Sequence, residues 1–235
     1  MDQSGTVHKA LKLLDALYRA GGRSSLAELA KAIGMPKPTV HRLLASLALF
    51  DVVQRDQEGM YALGIGLMRW GLGAQRVDPL VRLARPFLER AALEFGETFF
   101  AVGARAGRLF VLDKVEGTGV LRATPNVGEA VPIENTASGR LYLGLAPDRV
   151  NAALSGRQKD IEVIKRAVKR GYDTNQGEWL TGVSVVAAPV IVHGELLGCI
   201  ACAGASANLT GHRLRDAIAR ACSVARETEH SWNNK

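Results

Sequence analysis

Lys37, Thr39, His41, Arg42 and Ser46 fall in one ten-residue stretch, KPTVHRLLAS, and each can donate a hydrogen bond to a phosphate or a base edge. Along it and just beyond, Val40, Leu43, Leu44 and Leu47 recur at three- and four-residue steps, which predicts a helix with one buried stripe. Arg42 lies nearly opposite Leu43 and Leu44 on such a helix and faces outward. Lys37 stands at the helix entry, where the backbone dipole also favours anions. Short donors and cations near the N-terminal end are what a helix needs to read DNA in the major groove. An ordinary solvated face explains any one of these residues, but not the whole set following a capped helix and a turn.

Three helices and a hairpin must hold that face. Val7, Ala10, Leu11, Leu14, Leu17 and Tyr18 predict a first amphipathic helix, ended by Gly21-Gly22. Ser25 can cap a second, with Glu28 closing a capping box and Leu26, Leu29, Ala30 and Ile33 forming its stripe. Gly34 stops that helix, and Pro36 suits the first position of the next. Val52–Arg55 and Met60–Leu63 then flank the turn Asp56-Gln57-Glu58-Gly59, a hairpin placed where a wing belongs. Arg55 would lie near a phosphate, with Asp56 and Glu58 partly offsetting it. Candidate DNA contacts are therefore Ser25, Lys37, Pro38, Thr39, His41, Arg42, Ser46 and Arg55.

Charge supports a polyanionic partner. The chain of 235 residues carries 30 Lys and Arg against 23 Asp and Glu, and residues 1–76 hold more than half of the excess. Three cysteines are too few to staple a fold of this size, which fits a reducing, cytoplasmic setting. No apolar run is long enough for a signal peptide or a membrane span. No G-x-S-x-G elbow, phosphate-binding G-x-x-x-x-G-K-[ST] loop or H-E-x-x-H motif points to an enzyme, and no cofactor is implied. Cys199-x-x-Cys202 resembles half a metal site, yet residues three apart on a strand face opposite sides, so no metal is expected.

The expected domains are a winged helix-turn-helix at 1–63, a linker helix at 64–77 and a second domain at 78–235. Gly64, Gly66, Gly71 and Gly73 each weaken the linker helix by about 1 kcal/mol, which predicts a segment that bends easily. Pro79 to Phe95 reads as a helix. Strands follow at Thr98–Gly103, Arg108–Val115 and Val120–Thr124, and later at Val183–Val192 and Leu196–Ala203. Helices are expected at Gly139–Leu145, Arg149–Leu154, Ile161–Arg170 and from Thr210 to about Glu229. Hairpins wrapped by helices make this an α+β domain around an antiparallel sheet. Ser138 and Gly139 put a capping hydroxyl and an unobstructed backbone at a helix start, a ready seat for a carboxylate.

The residues SLAELA from Ser25, GMPKPTVHRLL from Gly34 and YALG from Tyr61 closely resemble the IclR family of bacterial transcriptional regulators. The resemblance continues through NVGEAVP from Asn126, TASG from Thr136 and GVSVVAAP from Gly182. It implies a winged helix-turn-helix, a linker helix and a GAF/profilin-like effector domain. It also implies homodimers, often assembled as dimers of dimers, that control a catabolic operon through double-stranded operator DNA. The effector it implies is a small organic acid held near Ala137, Ser138 and Gly139, then Asn175, Val185, Cys202 and Gly204. Some relatives have Ser-x-Ser and an acidic loop residue where this chain has Cys202, Gly204 and Asn175, so an aromatic or partly apolar acid is expected. Phe99, Phe100, Tyr142 and Trp179 could stack on it, although each is also an ordinary core residue. The competing reading is a DNA-binding protein whose second domain only dimerises and takes no ligand.

Overall fold

Three helices, α1 (Gly5–Arg19), α2 (Leu26–Ile33) and α3 (Lys37–Ala48), open the chain in the computed structural model, which describes residues 5–119, 125–151 and 161–234. The Ser25 Oγ accepts the Glu28 N–H at 3.2 Å, and the Glu28 carboxylate accepts the Ser25 N–H at 2.9 Å, so the capping box closes. At the other end Gly34 adopts φ 66°, and the Met35 N–H donates to the Ala30 carbonyl at 3.0 Å, turning the chain into α3. Pro36 occupies the N-cap of α3 instead of its first position, and Pro38 lies in the first turn.

Val40, Leu43 and Leu44 of α3 pack with Leu29 and Ala30 of α2, and with Leu13 and Leu17 of α1. This corrects the stripe expected on α1: Val7, Leu11 and Tyr18 are 57, 60 and 58% exposed, and Leu13 is buried in their place. The helix carries apolar residues on two faces, and only one of them meets this core. Strands β2 (Val53–Arg55) and β3 (Tyr61–Leu63) form the expected hairpin. A third strand, β1 (Arg23–Ser24), pairs with β3 to give the order β1-β3-β2. Two residues carry no alternation, so β1 left no mark in the pattern.

Helix α4 (Ile65–Val77) follows β3. Its glycines are of two kinds. A methyl on Gly64 would stand 2.0 Å from the Asp51 carbonyl oxygen, and one on Gly66 would stand 2.5 Å from that of Phe50. These two are contact glycines, since no side chain fits between the helix start and the turn after α3. Gly71 and Gly73 meet nothing within 4 Å, and only they answer the description of softeners.

The chain divides into two units, Met1–Ala74 and Gln75–Lys235. In the second, α5 (Pro79–Phe95) is capped by Asp78, whose side chain accepts from Leu80 and Val81. Strands β4 (Thr98–Arg105), β5 (Arg108–Val115) and β6 (Ala130–Val131) precede α6 (Ala137–Leu145) and a 3-10 turn at Pro147–Arg149. Then come α7 (Ile161–Arg170), β7 (Asp173–Gln176), β8 (Val183–Val192), β9 (Glu195–Ala205) and α8 (Gly211–Asn233). The six strands form one antiparallel sheet in the order β6-β5-β4-β9-β8-β7.

The strand expected at Val120–Thr124 lies outside the described residues. The helix expected at Arg149–Leu154 does not begin as drawn: Arg149 closes the 3-10 turn, Val150 is extended and bridges to Gly107, and residues 152–154 are outside the description. Thr210 stands at the N-cap of α8 but makes no side-chain capping bond. Helices cover both faces of the sheet. On one, Ala137, Leu141 and Tyr142 of α6 pack on Phe100, Val185 and Ala201; on the other, α5 and α8 pack on Phe99, Val186 and Cys202.

The glycine contrast can be measured by guanidinium unfolding of the full chain, followed by helical circular dichroism. Gly64→Ala and Gly66→Ala are expected to destabilise the N-terminal unit by about 1 to 3 kcal/mol through overpacking. Gly71→Ala and Gly73→Ala are expected to stabilise it, each by up to about 1 kcal/mol.

Candidate functional site

On α3, Lys37, Pro38, His41, Arg42 and Ser46 are exposed and Thr39 is half-buried. The side chains of Lys37, His41 and Arg42 make no hydrogen bond or ion pair among the described residues and are exposed, so all three remain free to meet a ligand. Two of the expected contacts are otherwise engaged. The Ser46 hydroxyl donates to the Arg42 carbonyl at 3.0 Å, and Ser25 is bound into the capping box. Glu28 there accepts from the Ser25 backbone, the Ser25 hydroxyl and the Ser24 hydroxyl, which together hold its carboxyl below the ordinary range.

Arg55 lies along the hairpin. Its Nε donates to the Gly59 carbonyl at 3.2 Å, and its guanidinium stands 5.5 Å from the centre of the Tyr61 ring. Asp56 and Glu58 are held by Arg23, whose Nε donates to Asp56 at 2.8 Å and whose Nη2 donates to Glu58 at 2.7 Å. Sequence reasoning passed over Arg23. The signal was two carboxylates at a wing tip that need a partner, but that partner lies more than thirty residues away.

The start of α6 differs from expectation in its cap. Thr136 supplies it: the Thr136 Oγ1 accepts the Gly139 N–H at 3.0 Å and donates to the Pro132 carbonyl at 2.5 Å. Ser138 is buried inside the first turn, where its hydroxyl hydrogen-bonds the Cys199 thiol. Nor is Gly139 open to a ligand, because a methyl there would stand 2.0 Å from the Ile133 carbonyl oxygen. The helix therefore sits directly on the preceding loop. What is left to hold an anion is the pair of N–H groups of Ala137 and Ser138.

Phe100, Ala137, Tyr142 and Val185 share one core beneath α6, with Trp179 packed at its margin. The Ala104 N–H donates to the Tyr142 hydroxyl at 3.1 Å. Burial pushes both the Tyr142 phenol and the Cys199 thiol well above their ordinary values, so both are neutral groups. Cys202 and Gly204 do not belong to this cluster. Cys202 faces the α5 and α8 side, and a methyl on Gly204 would meet Glu97 and Leu209 there. Strand alternation places Cys199, Ala201 and Ala203 toward α6, one residue out of step with the expected pair. Phe99 likewise faces away, edge-on to Phe95 at 6.2 Å between ring centres.

Asn175 is buried and pairs with Val185 across the sheet. Both ends of its amide are engaged within the protein: Nδ2 donates to the Asn135 carbonyl, and Oδ1 accepts the Glu178 N–H at 3.1 Å. Arg140, which sequence reasoning missed, reinforces the same junction through Asp173, Glu178 at 2.8 Å and the Thr174 carbonyl at 2.7 Å. Burial works against the Arg140 charge, but its two carboxylate partners outweigh burial and raise its pKa. Cys199 and Cys202 point to opposite faces. Among the described residues, no group of three or more His, Cys, Asp or Glu side chains could hold a metal ion, and no helix is long and apolar enough to cross a membrane.

Comparison with known proteins covers both units. Residues 6–57 match the family model described as the IclR helix-turn-helix domain, and residues 74–230 match the one for the bacterial transcriptional regulator IclR C-terminal domain. The chain is 27% identical over 229 residues to the HTH-type transcriptional regulator KipR of Bacillus subtilis, covering 91% of each. An IclR transcriptional regulator from Alicyclobacillus acidocaldarius superposes with a TM-score of 0.81 at 24% identity, over 97% of this chain and 99% of that one. An IclR homologue from Microbacterium hydrocarbonoxydans, complexed with 4-hydroxybenzoate, superposes with a TM-score of 0.84 at 16% identity, over 98% and 100% of the two chains. At these identities the superpositions speak for the fold.

Asn175→Ala would leave the Asn135 carbonyl and the Glu178 N–H without their side-chain partner in a part-buried junction. The expected cost is about 1 to 3 kcal/mol in equilibrium unfolding. An unchanged midpoint would show that the junction contributes nothing to holding the loop.

Proposed function

The chain belongs to the IclR family of bacterial transcriptional regulators, which are not enzymes, and we propose that it is an effector-responsive member controlling a catabolic operon from the cytoplasm. In this reading α3 enters the major groove of double-stranded operator DNA, with Lys37, Thr39, His41 and Arg42 toward phosphates and base edges. Pro38 brings the helix start close to the backbone, and Arg55 serves the wing. Ser25 and Ser46 contribute by shaping their helices.

The effector is a small organic acid, aromatic or partly apolar, bound between the start of α6 and the sheet. One observation carries this reading. The sheet face beneath α6 presents Phe100, Val183, Val185, Ala187, Ala201 and Ala203, and the polar side chains beside it include the neutral Ser138, Tyr142, Cys199 and Asn175, the last opposite Val185. The homologue holding 4-hydroxybenzoate shares this fold. Because Cys202 and Gly204 face elsewhere, the apolar character of the site rests on the alanines of β9.

Two copies would pair. Val7, Leu11 and Tyr18 of α1 and Ile65, Met68 and Leu72 of α4 are all more than half exposed, an apolar surface that a homodimer would bury. A dimer also suits the two half-sites of an operator, and pairing of dimers extends it.

Ligand binding can be followed by Trp179 fluorescence, with Trp179→Phe as control, during titration with 4-hydroxybenzoate and with aliphatic acids. Ala201→Phe is expected to abolish the response and Cys202→Ala to leave it unchanged. No response to any acid, with operator binding intact, would favour the second domain as a purely structural dimeriser. Arg42→Ala is expected to weaken operator binding by about tenfold or more while the oligomeric state is retained.

A further inference from the structure

We propose that Arg23 is a positioning residue for DNA reading: it holds the two carboxylates of the wing tip and so keeps Arg55 free to serve as the cation of the wing. The inference rests on the reading that the hairpin approaches DNA.

The tip contains a conflict of charge. Asp56 cannot be dispensed with, because its Oδ1 accepts the Glu58 N–H at 3.0 Å and the Met60 N–H at 2.9 Å and thereby builds the turn. Glu58 follows two residues later. A tip with two unpaired carboxylates would repel a phosphate backbone. Arg55 is the only cation of the hairpin itself, and pairing it with either acid would cancel it. The structure takes the other course. Arg23 reaches across from β1 and binds Asp56 Oδ2 and Glu58 Oε2 with one guanidinium, while Arg55 rests on the Tyr61 ring and the Gly59 carbonyl, away from both carboxylates. The hydrogen bonds that Arg23 donates to Glu58 and Asp56 raise its pKa, and they keep that of Asp56 below its ordinary value although desolvation opposes this.

Strand β1 thereby acquires a purpose. It is two residues long, and both side chains make polar ties: Arg23 to the wing tip, and Ser24 through its hydroxyl to Glu28 at 3.0 Å. The pairing of Arg23 with Ala62 and of Ser24 with Tyr61 sets the hairpin against the cap of α2. Reading helix and wing are thus referred to one short strand.

The test uses the full chain and a labelled duplex carrying the region upstream of its own gene, with anisotropy measured across a salt series and a random-sequence duplex as control. Arg23→Ala is expected to weaken binding by roughly three- to tenfold at low salt, the loss shrinking as salt screens the bared carboxylates. Adding Asp56→Asn and Glu58→Gln to that variant is expected to restore binding to the wild-type level or above, although Arg23 is still absent. If the triple variant stays as weak as Arg23→Ala, and the salt slope falls by about 0.9, then Arg23 is itself a phosphate contact and the proposal is overturned. A triple variant that stays weak with an unchanged slope overturns it too, since the loss then comes from the fold. If Arg55→Ala weakens binding while Arg23→Ala does not, the wing touches DNA without help from Arg23. If neither substitution moves the affinity, the wing reading fails and takes the proposal with it.

Discussion

Side chains on the central strands β4, β9 and β8 alternate between two cores, and that alternation decides which of them can meet a ligand. Phe100, Val185 and Ala201 face α6, while Phe99, Val186 and Cys202 face α5 and α8. Nothing softer can override this, because a one-residue slip would exchange the two faces of a strand at once. The two cores are of unlike character. The α5 and α8 side takes the buried carboxylates Asp113 and Glu97, paired with Arg85 and Arg213, whereas the α6 side contains the neutral Ser138, Tyr142 and Cys199 and the start of a helix. The proposed site lies on the α6 side, where those neutral groups meet an apolar sheet face.

The winged unit obeys a different constraint, close approach of backbone to backbone. Gly64 and Gly66 bring the beginning of α4 against the carbonyls of Asp51 and Phe50, and the Gly66 N–H donates to the Asp51 oxygen at 2.9 Å. The same device recurs in the second unit, where Gly139 brings α6 onto the Ile133 carbonyl. In each case a helix start is fixed by the lack of a side chain, so its orientation does not depend on rotamers. This is a sound foundation for elements whose exposed ends do the recognising.

Much of the fold was legible because it rests on local signals. The capping box of Ser25 and Glu28, the apolar steps of α3, the hairpin around Asp56 and Gly59 and the span of α7 are all written within a few residues. What escaped was set by distant partners. Leu13 instead of Leu11 is buried on α1 because the neighbouring helices choose between two apolar faces that the pattern leaves equal. Thr136 instead of Ser138 caps α6 because the Ile133 carbonyl closes over Gly139. Cys202 and Gly204, which the family resemblance implies, stand one residue out of step with the face that meets α6, and Arg23 and Arg140 find their carboxylates across more than thirty residues of chain.

The chemistry left at the α6 site constrains the kind of acid that fits it. Arg140 is the nearest cation in sequence to the helix start, and its guanidinium is already bound to Asp173, Glu178 and the Thr174 carbonyl. Asn175 is likewise tied to Asn135 and Glu178. A ligand carboxylate would therefore be held by backbone N–H groups of Ala137 and Ser138 and the helix dipole, which together are weaker than a bidentate arginine. Such a seat suits an acid whose affinity comes mainly from apolar contact. Ala187, Ala201 and Ala203 keep the sheet face apolar, and Phe100 and Tyr142 supply aromatic surface beside it. A very small polar acid would have little to hold it. An aromatic one would draw most of its binding from the sheet face that strand alternation builds.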